Sequence, residues 1–200
     1  MTEAARNRRH FVLASQSPRR VELLRRIGIV PDDIVGADIE ETPAEGELPP
    51  ALARRLALEK LSCIRSRFPD SFVLAADTVV ALGRRVLGKP DDGTMARRHL
   101  VLLSGRRHRV MTAVACAAPD GRSALRIATT TVSFKRLQEA EIAAYLDGGE
   151  WQGKAGSYAI QGAAEMFVRR INGSYSNVVG LPLFETAALL GGLSWPIHGR

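Results

Sequence analysis

Apolar runs and helix-spaced apolar positions alternate along this chain, and their order fixes the elements to expect. Phe11 to Ala14 is a short apolar run that reads as a buried strand. Ser17-Pro18 follows with helix-start chemistry, Ser as N-cap and Pro at the first helical position. Val21, Leu24 and Ile27 then share one helical face, and Gly28 stops the helix. Pro31 to Pro50 is rich in Asp, Glu, Gly and Pro and reads mainly as loop, after which Leu52 to Arg67 is helical in pattern. Phe72 to Leu82 is an apolar, β-branched run interrupted by Asp77-Thr78, and Gly83-Arg84-Arg85 has the look of a hairpin turn into Val86-Leu87. Thr94 to Leu103 predicts a helix with Gly105 just beyond its end. Val110 to Ala117 and Leu125 to Phe134 predict two strands joined through Pro119-Asp-Gly-Arg122, hence a hairpin. Glu139 to Leu146 is a further helix. The glycine-rich region beyond it holds strand candidates at Ser157 to Ile160 and Met166 to Ile171, and Pro182 opens a last helix ending near Gly191-Gly192.

Strands and helices mixed with hairpins predict an α/β class with a mixed sheet. No fixed-period repeat is present, and 200 residues suit one large domain or two closely joined lobes. No apolar run approaches bilayer length, and the charged stretch Met1 to His10 lacks the pattern of a secretory signal. Cys63 and Cys116 stand alone, with no CxxC pair or histidine cluster, so neither a disulfide framework nor a zinc site is expected and a cytoplasmic location fits. The net charge of +7 raises the question of nucleic acid. The charge is spread along the chain, however, in doublets at Arg25-Arg26, Arg54-Arg55, Arg84-Arg85, Arg97-Arg98 and Arg169-Arg170, and no row of aromatics offers base stacking. The expectation is a solvated basic surface without a nucleic-acid partner, compatible with a small polyanionic ligand.

Three features carry chemistry. Arg19 and Arg20 occupy the second and third positions of the first predicted helix, where the helix macrodipole disfavours cations. Free backbone N–H groups, the hydroxyls of Ser15 and Ser17 and two guanidinium forks make a phosphate cradle there, whereas two solvated arginines would be the plain alternative. Asp77 is a carboxylate inside an otherwise apolar strand, where an unpaired charge is costly, so it must meet a cation, meet a metal, or lie at a cleft. Glu40-Glu41, in the acidic loop, can join Asp77 as oxygen ligands to Mg²⁺ or Mn²⁺. Lys60 and Lys89, two of four lysines, are candidate phosphate-neutralising charges. Gly148, Gly153 and Lys154 match the spacing of a P-loop, but Ala155 replaces the required Ser or Thr and a helix precedes where a strand is needed, so that motif is rejected. Gly173-Ser174-Tyr175 likewise lacks a nucleophile elbow.

The ordered set of blocks resembles the Maf family of nucleotide pyrophosphatases. The blocks are Leu13-Ala-Ser-Gln-Ser-Pro-Arg-Arg20 with Glu22-Leu-Leu24, Ala76-Asp-Thr-Val-Val80, Leu87-Gly-Lys-Pro90, and Leu103-Ser-Gly105 with His108, Val110 and Thr112. Lys154-Ala-Gly-Ser-Tyr-Ala-Ile-Gln-Gly162, Asn172-Gly-Ser-Tyr175 and Val179-Gly-Leu-Pro182 complete it. The resemblance implies one two-lobed α/β domain over residues 1–200, built on an elongated mixed sheet similar in shape to the inosine triphosphate pyrophosphatases, with nucleotide between the lobes. It implies cleavage of a nucleoside triphosphate between the α and β phosphates, a divalent metal (Mg²⁺ or Mn²⁺), a cytoplasmic house-cleaning role linked in some members to septum formation or division arrest, and a homodimer as a suitable assembly. By position, Asp77 matches the catalytic carboxylate that accepts a proton. Arg19, Thr78 and Gln161 match the positions of substrate choice, and Ser15, Arg19, Arg20, Lys60 and Lys89 the polar and basic positions around the phosphates. Glu41, in preference to Glu40, matches the acidic metal position beside Asp77. Thr78 and Gln161 resemble the branch acting on dTTP and UTP, whereas a branch preferring 7-methyl-GTP carries Gln and Glu there. Ser157 departs from the usual Ala of its block. The rival expectations are a 7-methyl-GTP or broader modified-nucleotide pyrophosphatase, and a nucleotide-responsive division regulator without turnover.

Overall fold

The apolar runs become strands buried on both faces, and the helix-spaced runs pack against them. The computed structural model describes residues 9–196, so of the charged stretch Met1 to His10 all but the last two residues lie outside the described residues. In chain order the elements are β1 (Phe11–Leu13), α1 (Pro18–Arg26), β2 (Asp33–Ile34), α2 (Pro49–Arg65), β3 (Phe72–Leu82), β4 (Arg85–Leu87), α3 (Gly93–Leu103), β5 (Arg107–Ala117), β6 (Ser123–Phe134), α4 (Glu139–Asp147), β7 (Val168–Asn172), α5 (Tyr175–Val179) and α6 (Leu183–Gly192). The strands form one mixed sheet in the order β2-β1-β3-β5-β6-β7, with β4 also paired to β3. β1 runs parallel to β2 and β3, and the remaining pairings are antiparallel. The expected α/β class and the β5–β6 hairpin are both present.

Side-chain alternation along β3 decides what each face of the sheet receives. Val73, Ala75, Val79 and Ala81 face a cluster completed by Leu52, Leu56, Leu61 and Ile64 of α2. Phe72, Leu74, Ala76 and Val80 face the opposite cluster, with Leu100, Val114 and Phe167. Each fully buried Leu or Phe contributes about 1.5–3 kcal/mol, so the two clusters lock the strand's register. By the same alternation Asp77 projects toward α2 and Thr78 toward the other face.

Several elements differ from the sequence expectation. β3 is continuous through Asp77-Thr78; it is its neighbours that change there. α2 begins at Pro49 rather than Leu52, because Pro49-Pro50 suits a first helical turn. β2 and the five-residue α5 carry too few residues to show a period, and α5 is set instead by the Ser174 hydroxyl accepting the Asn177 N–H at 3.2 Å. Ser157 to Ile160 is not a strand. The chain enters it through a 3-10 turn at Ala155–Ser157 with φ of +72° at Gly156 and +62° at Ser157, and the apolar run is buried without joining the sheet. The Ser157 hydroxyl, in the block's atypical position, lies 2.7 Å from His99 Nδ1 of α3.

His108 lies among Phe134 and Tyr158 in the core, its Nε2 2.8 Å from the Tyr158 hydroxyl, and burial pushes its pKa down from 6.5 to about 4. The fold therefore favours the neutral ring. Its contribution is fully present above pH 6.5 and is lost as pH falls from 6.5 toward 4, by about 3 kcal/mol. Urea unfolding of the parent and of His108→Gln will diverge by that amount between pH 7 and pH 4. A pH-independent difference between the two would refute the assignment.

Candidate active site

A gap in the strand pairing opens the site. On one edge of β3, β1 pairs with Phe72 to Leu74 and β4 with Val80 to Leu82, and neither pairs with the residues between. Asp77 and Thr78 lie in that interval, next to the carboxyl end of β1, the place where α/β sheets form ligand crevices. A cleft of about 480 Å³ enters there.

The charged floor of the cleft is a chain of ion pairs. Lys60, buried on α2, donates to Asp77 Oδ1 at 2.6 Å and lies 2.6 Å from Glu41 Oε1. Lys89, just after β4, donates to Glu41 Oε2 at 2.9 Å. A buried carboxylate is tolerable only with such a partner, since breaking a buried pair costs about 3–5 kcal/mol. Burial raises the Glu41 pKa, but the Lys60 and Lys89 hydrogen bonds outweigh it and hold the carboxyl down at about 2. Glu40 faces elsewhere: its carboxylate accepts from the Thr42 N–H at 2.9 Å.

The opposite wall is the start of α1. Ser17 stands at the N-cap as its sequence predicts, but its hydroxyl makes no capping hydrogen bond. Arg19 and Arg20 differ sharply in their surroundings. Arg20 donates from Nε to the Gly180 carbonyl at 2.8 Å, from one terminal nitrogen to Ser15 Oγ at 3.0 Å, and from the other to Thr78 Oγ1 at 3.2 Å. Burial lowers its pKa and the nearby Asp77 charge pulls it back. Arg19 makes one long contact, Nε to the Val179 carbonyl at 3.4 Å, which leaves its terminal nitrogens directed to the cleft without a protein partner among the described residues. Arg20 is thus a strut and Arg19 a free fork.

The third wall is the segment Gln152 to Gln161. A Cβ on Gly156 would lie 2.8 Å from Val80 Cγ1, so glycine with its positive φ lets this segment close on β3. Gln161 is exposed on the cleft and makes no side-chain hydrogen bond among the described residues. Below Thr78 a buried polar network continues, with Thr78 Oγ1 2.9 Å from Thr112 Oγ1 and the Thr112 hydroxyl donating to the Asn177 carbonyl at 3.2 Å.

The nine residues matched by position line this one cleft, Ser15, Arg19, Arg20, Glu41, Lys60, Asp77, Thr78, Lys89 and Gln161, while Glu40 does not. Sequence reasoning missed Gln16, Gln152, Lys154 and the Gly180 carbonyl, which line it too. Lys154 opens one of the resembling blocks and belongs to the rejected P-loop spacing, but no site role was read from it. That rejection stands, because α4 precedes the segment and a 3-10 turn follows it, yet the lysine still reaches the cleft. Burial and the neighbouring Arg19 lower its pKa.

Among the described residues no helix is long and apolar enough to cross a membrane. Comparison with known proteins agrees with the blocks. A dTTP/UTP pyrophosphatase of Paramagnetospirillum magneticum is 59% identical over 92% of this chain and 97% of its own. A dTTP/UTP pyrophosphatase of Rhodospirillum rubrum is 57% identical over 92% of this chain and 88% of its own. Among solved structures, the Ham1 protein of Staphylococcus aureus overlaps with a TM-score of 0.45 at 19% identity, over 63% of this chain and 72% of that one. The family model described as Maf-like protein matches residues 10–193, and the chain belongs to that family.

Proposed function

We propose that this protein hydrolyses dTTP and UTP to the nucleoside monophosphate and pyrophosphate. The observation that carries the reading is the convergence, in one cleft, of a buried carboxylate, a chain of paired lysines and a free arginine fork at an uncapped helix start. Similarity to pyrophosphatases named for dTTP and UTP supports the substrate class. The closure of three walls on this cleft also supports our reading of the chain as a single two-lobed unit with nucleotide between the lobes.

The donor set supports a substrate-bridging cation. Asp77 and Glu41 each place an oxygen 2.6 Å from the Lys60 ammonium, so the two carboxylates stand side by side at the cleft, and a cation held by both would take over the place the ammonium has here. Among the described residues no third carboxylate, His or Cys joins them, so a hard cation such as Mg²⁺ or Mn²⁺, which prefers oxygen donors and keeps water and phosphate as ligands, suits the pair. Asp77 and Glu41 are the residues that would hold such an ion, and it would supply charge neutralisation and a more acidic water.

The side chains do the rest. Lys60 and Lys89 neutralise the β and γ phosphates, and Arg19, Ser15 and the N–H groups of α1 hold the phosphate chain in line. Asp77 orients the attacking water and takes its proton. The water oxygen bonds to the α phosphorus as the bond to the α–β bridging oxygen breaks, and pyrophosphate leaves with that electron pair. Arg20 acts by fixing Ser15 and Thr78. Thr78 and Gln161 present a hydroxyl and an amide to the nucleotide, and Arg19 joins them in substrate choice, since a site built to hydrogen-bond a group rejects analogues lacking it.

Asp77→Asn keeps the side-chain volume and leaves Lys60 its Glu41 partner. Turnover should fall by about 10²–10⁴-fold with the fold preserved, measured as pyrophosphate release and circular dichroism. Near-parental turnover would remove Asp77 from the mechanism. A panel of dTTP, UTP and 7-methyl-GTP should give the first two as preferred substrates, and chelation by EDTA should stop release until Mg²⁺ or Mn²⁺ is restored; preference for 7-methyl-GTP or full activity in EDTA would overturn the respective part. In the unliganded protein the Glu41 carboxyl, followed by carbon NMR, should titrate near 2 rather than 4.5. An ordinary titration would mean that Lys60 and Lys89 do not both hold it.

A further inference from the structure

Three arginines far apart in sequence meet at a second cavity, of about 600 Å³, that shares no lining residue with the catalytic cleft. Arg106, Arg136 and Arg169 line it, beside apolar Val101 and Leu137. Backbone hydrogen bonds fix the three segments side by side. The Gly105 N–H donates to the Lys135 carbonyl at 2.9 Å, Phe134 N–H to the Arg106 carbonyl at 3.0 Å, and Lys135 N–H to the Phe167 carbonyl at 2.8 Å. Gly105, with φ of +70°, makes the turn that delivers Arg106.

The charge there is uncompensated. Among the described residues none of the three guanidinium groups has a side-chain hydrogen bond or ion pair. Glu139, the one carboxylate lining the cavity, is engaged by Arg97. Arg55 pairs with Glu47 and Glu59, and Arg26 with Glu22, whereas at this cavity three unpaired arginines share one concave place whose single carboxylate is already engaged. One of the doublets that look dispersed along the sequence, Arg169-Arg170, thus joins Arg106 and Arg136 at one concave place through Arg169. Forked donors suit phosphate oxygens bidentately, and the volume and the adjoining apolar side chains suit a molecule of nucleotide size rather than a polymer lying on a flat surface.

We propose that this cavity is a second binding site for a phosphate-bearing small molecule, with the phosphates on Arg106, Arg136 and Arg169 and an apolar ring against Val101 and Leu137. The inference does not rest on the catalytic reading. It is tested by equilibrium dialysis of ATP and of inorganic triphosphate against the Asp77→Asn protein, with and without Arg106→Gln, Arg136→Gln and Arg169→Gln together. All three arginines are exposed, so the triple variant keeps the core. The expected result is an equivalent of ATP on the parent background that is weakened at least about tenfold in the triple variant, any binding in the catalytic cleft being unchanged. In the chain with Asp77 intact, the triple variant should hydrolyse dTTP within about twofold of the parent, as charged groups outside a cleft alter rates little once screened. Tighter binding of ATP than of triphosphate supports the ring against Val101 and Leu137, and equal binding supports an inorganic polyphosphate at the same arginines. Absence of ATP binding, binding that is unchanged in the triple variant, or retention of long nucleic acid but neither small probe would overturn it.

Discussion

The ammonium of Lys60, held between Asp77 and Glu41, is the interaction on which the site depends. A carboxylate on an apolar strand is costly in free energy, and β3 buries its neighbours against both faces of the sheet. Strand alternation sends Asp77 toward α2, and α2 answers with a buried lysine from the same apolar face as Leu56 and Leu61. That lysine then draws Glu41, and through it Lys89, into the cleft. A long acidic loop with little structure of its own is thereby fastened to the sheet by charge.

The other half of the site is organised by Arg20 in a different way. Its guanidinium joins three pieces of backbone and side chain that are remote in sequence: Ser15 after β1, Thr78 on β3, and the carbonyl of Gly180 after α5. Thr78 passes the connection on to Thr112 and Asn177. Buried hydrogen bonds of this kind hold the start of α1 against the sheet without using Arg19. One arginine of the pair is therefore spent on structure so that the other stays free. The second cavity uses arginines in the free sense again, at the far ends of segments joined by backbone bonds.

The chemistry-bearing residues were legible because each broke a local rule. Asp77 interrupted an apolar run, and Arg19-Arg20 put cations where a helix start disfavours them. Their neighbours in order resembled a known family, which supplied Thr78 and Gln161 although nothing in their local pattern distinguished them. Lys154 and the Gly180 carbonyl left no such mark. A lysine in a glycine-rich segment and a backbone oxygen look alike in a cleft and in a loop, and only the turn through Gly156 decides which. Ser157 to Ile160 failed for a related reason: a buried apolar run reads as a strand, but two residues of positive φ turn it away from the sheet.

By itself, the sequence determined the α/β class, the long strands and helices, and the set of charged side chains that the cleft brings together. Those follow from short-range periodicity, caps and residue type, which act within a few positions. Tertiary structure alone decided that β1 and β4 leave a gap on β3 around Asp77, that Lys60 and not another cation faces it, and that Arg20 is a strut while Arg19 is open. It also decided that Arg106, Arg136 and Arg169 share one cavity. These depend on which strands pair and how helices seat across the sheet, contacts between residues tens of positions apart that no local pattern encodes.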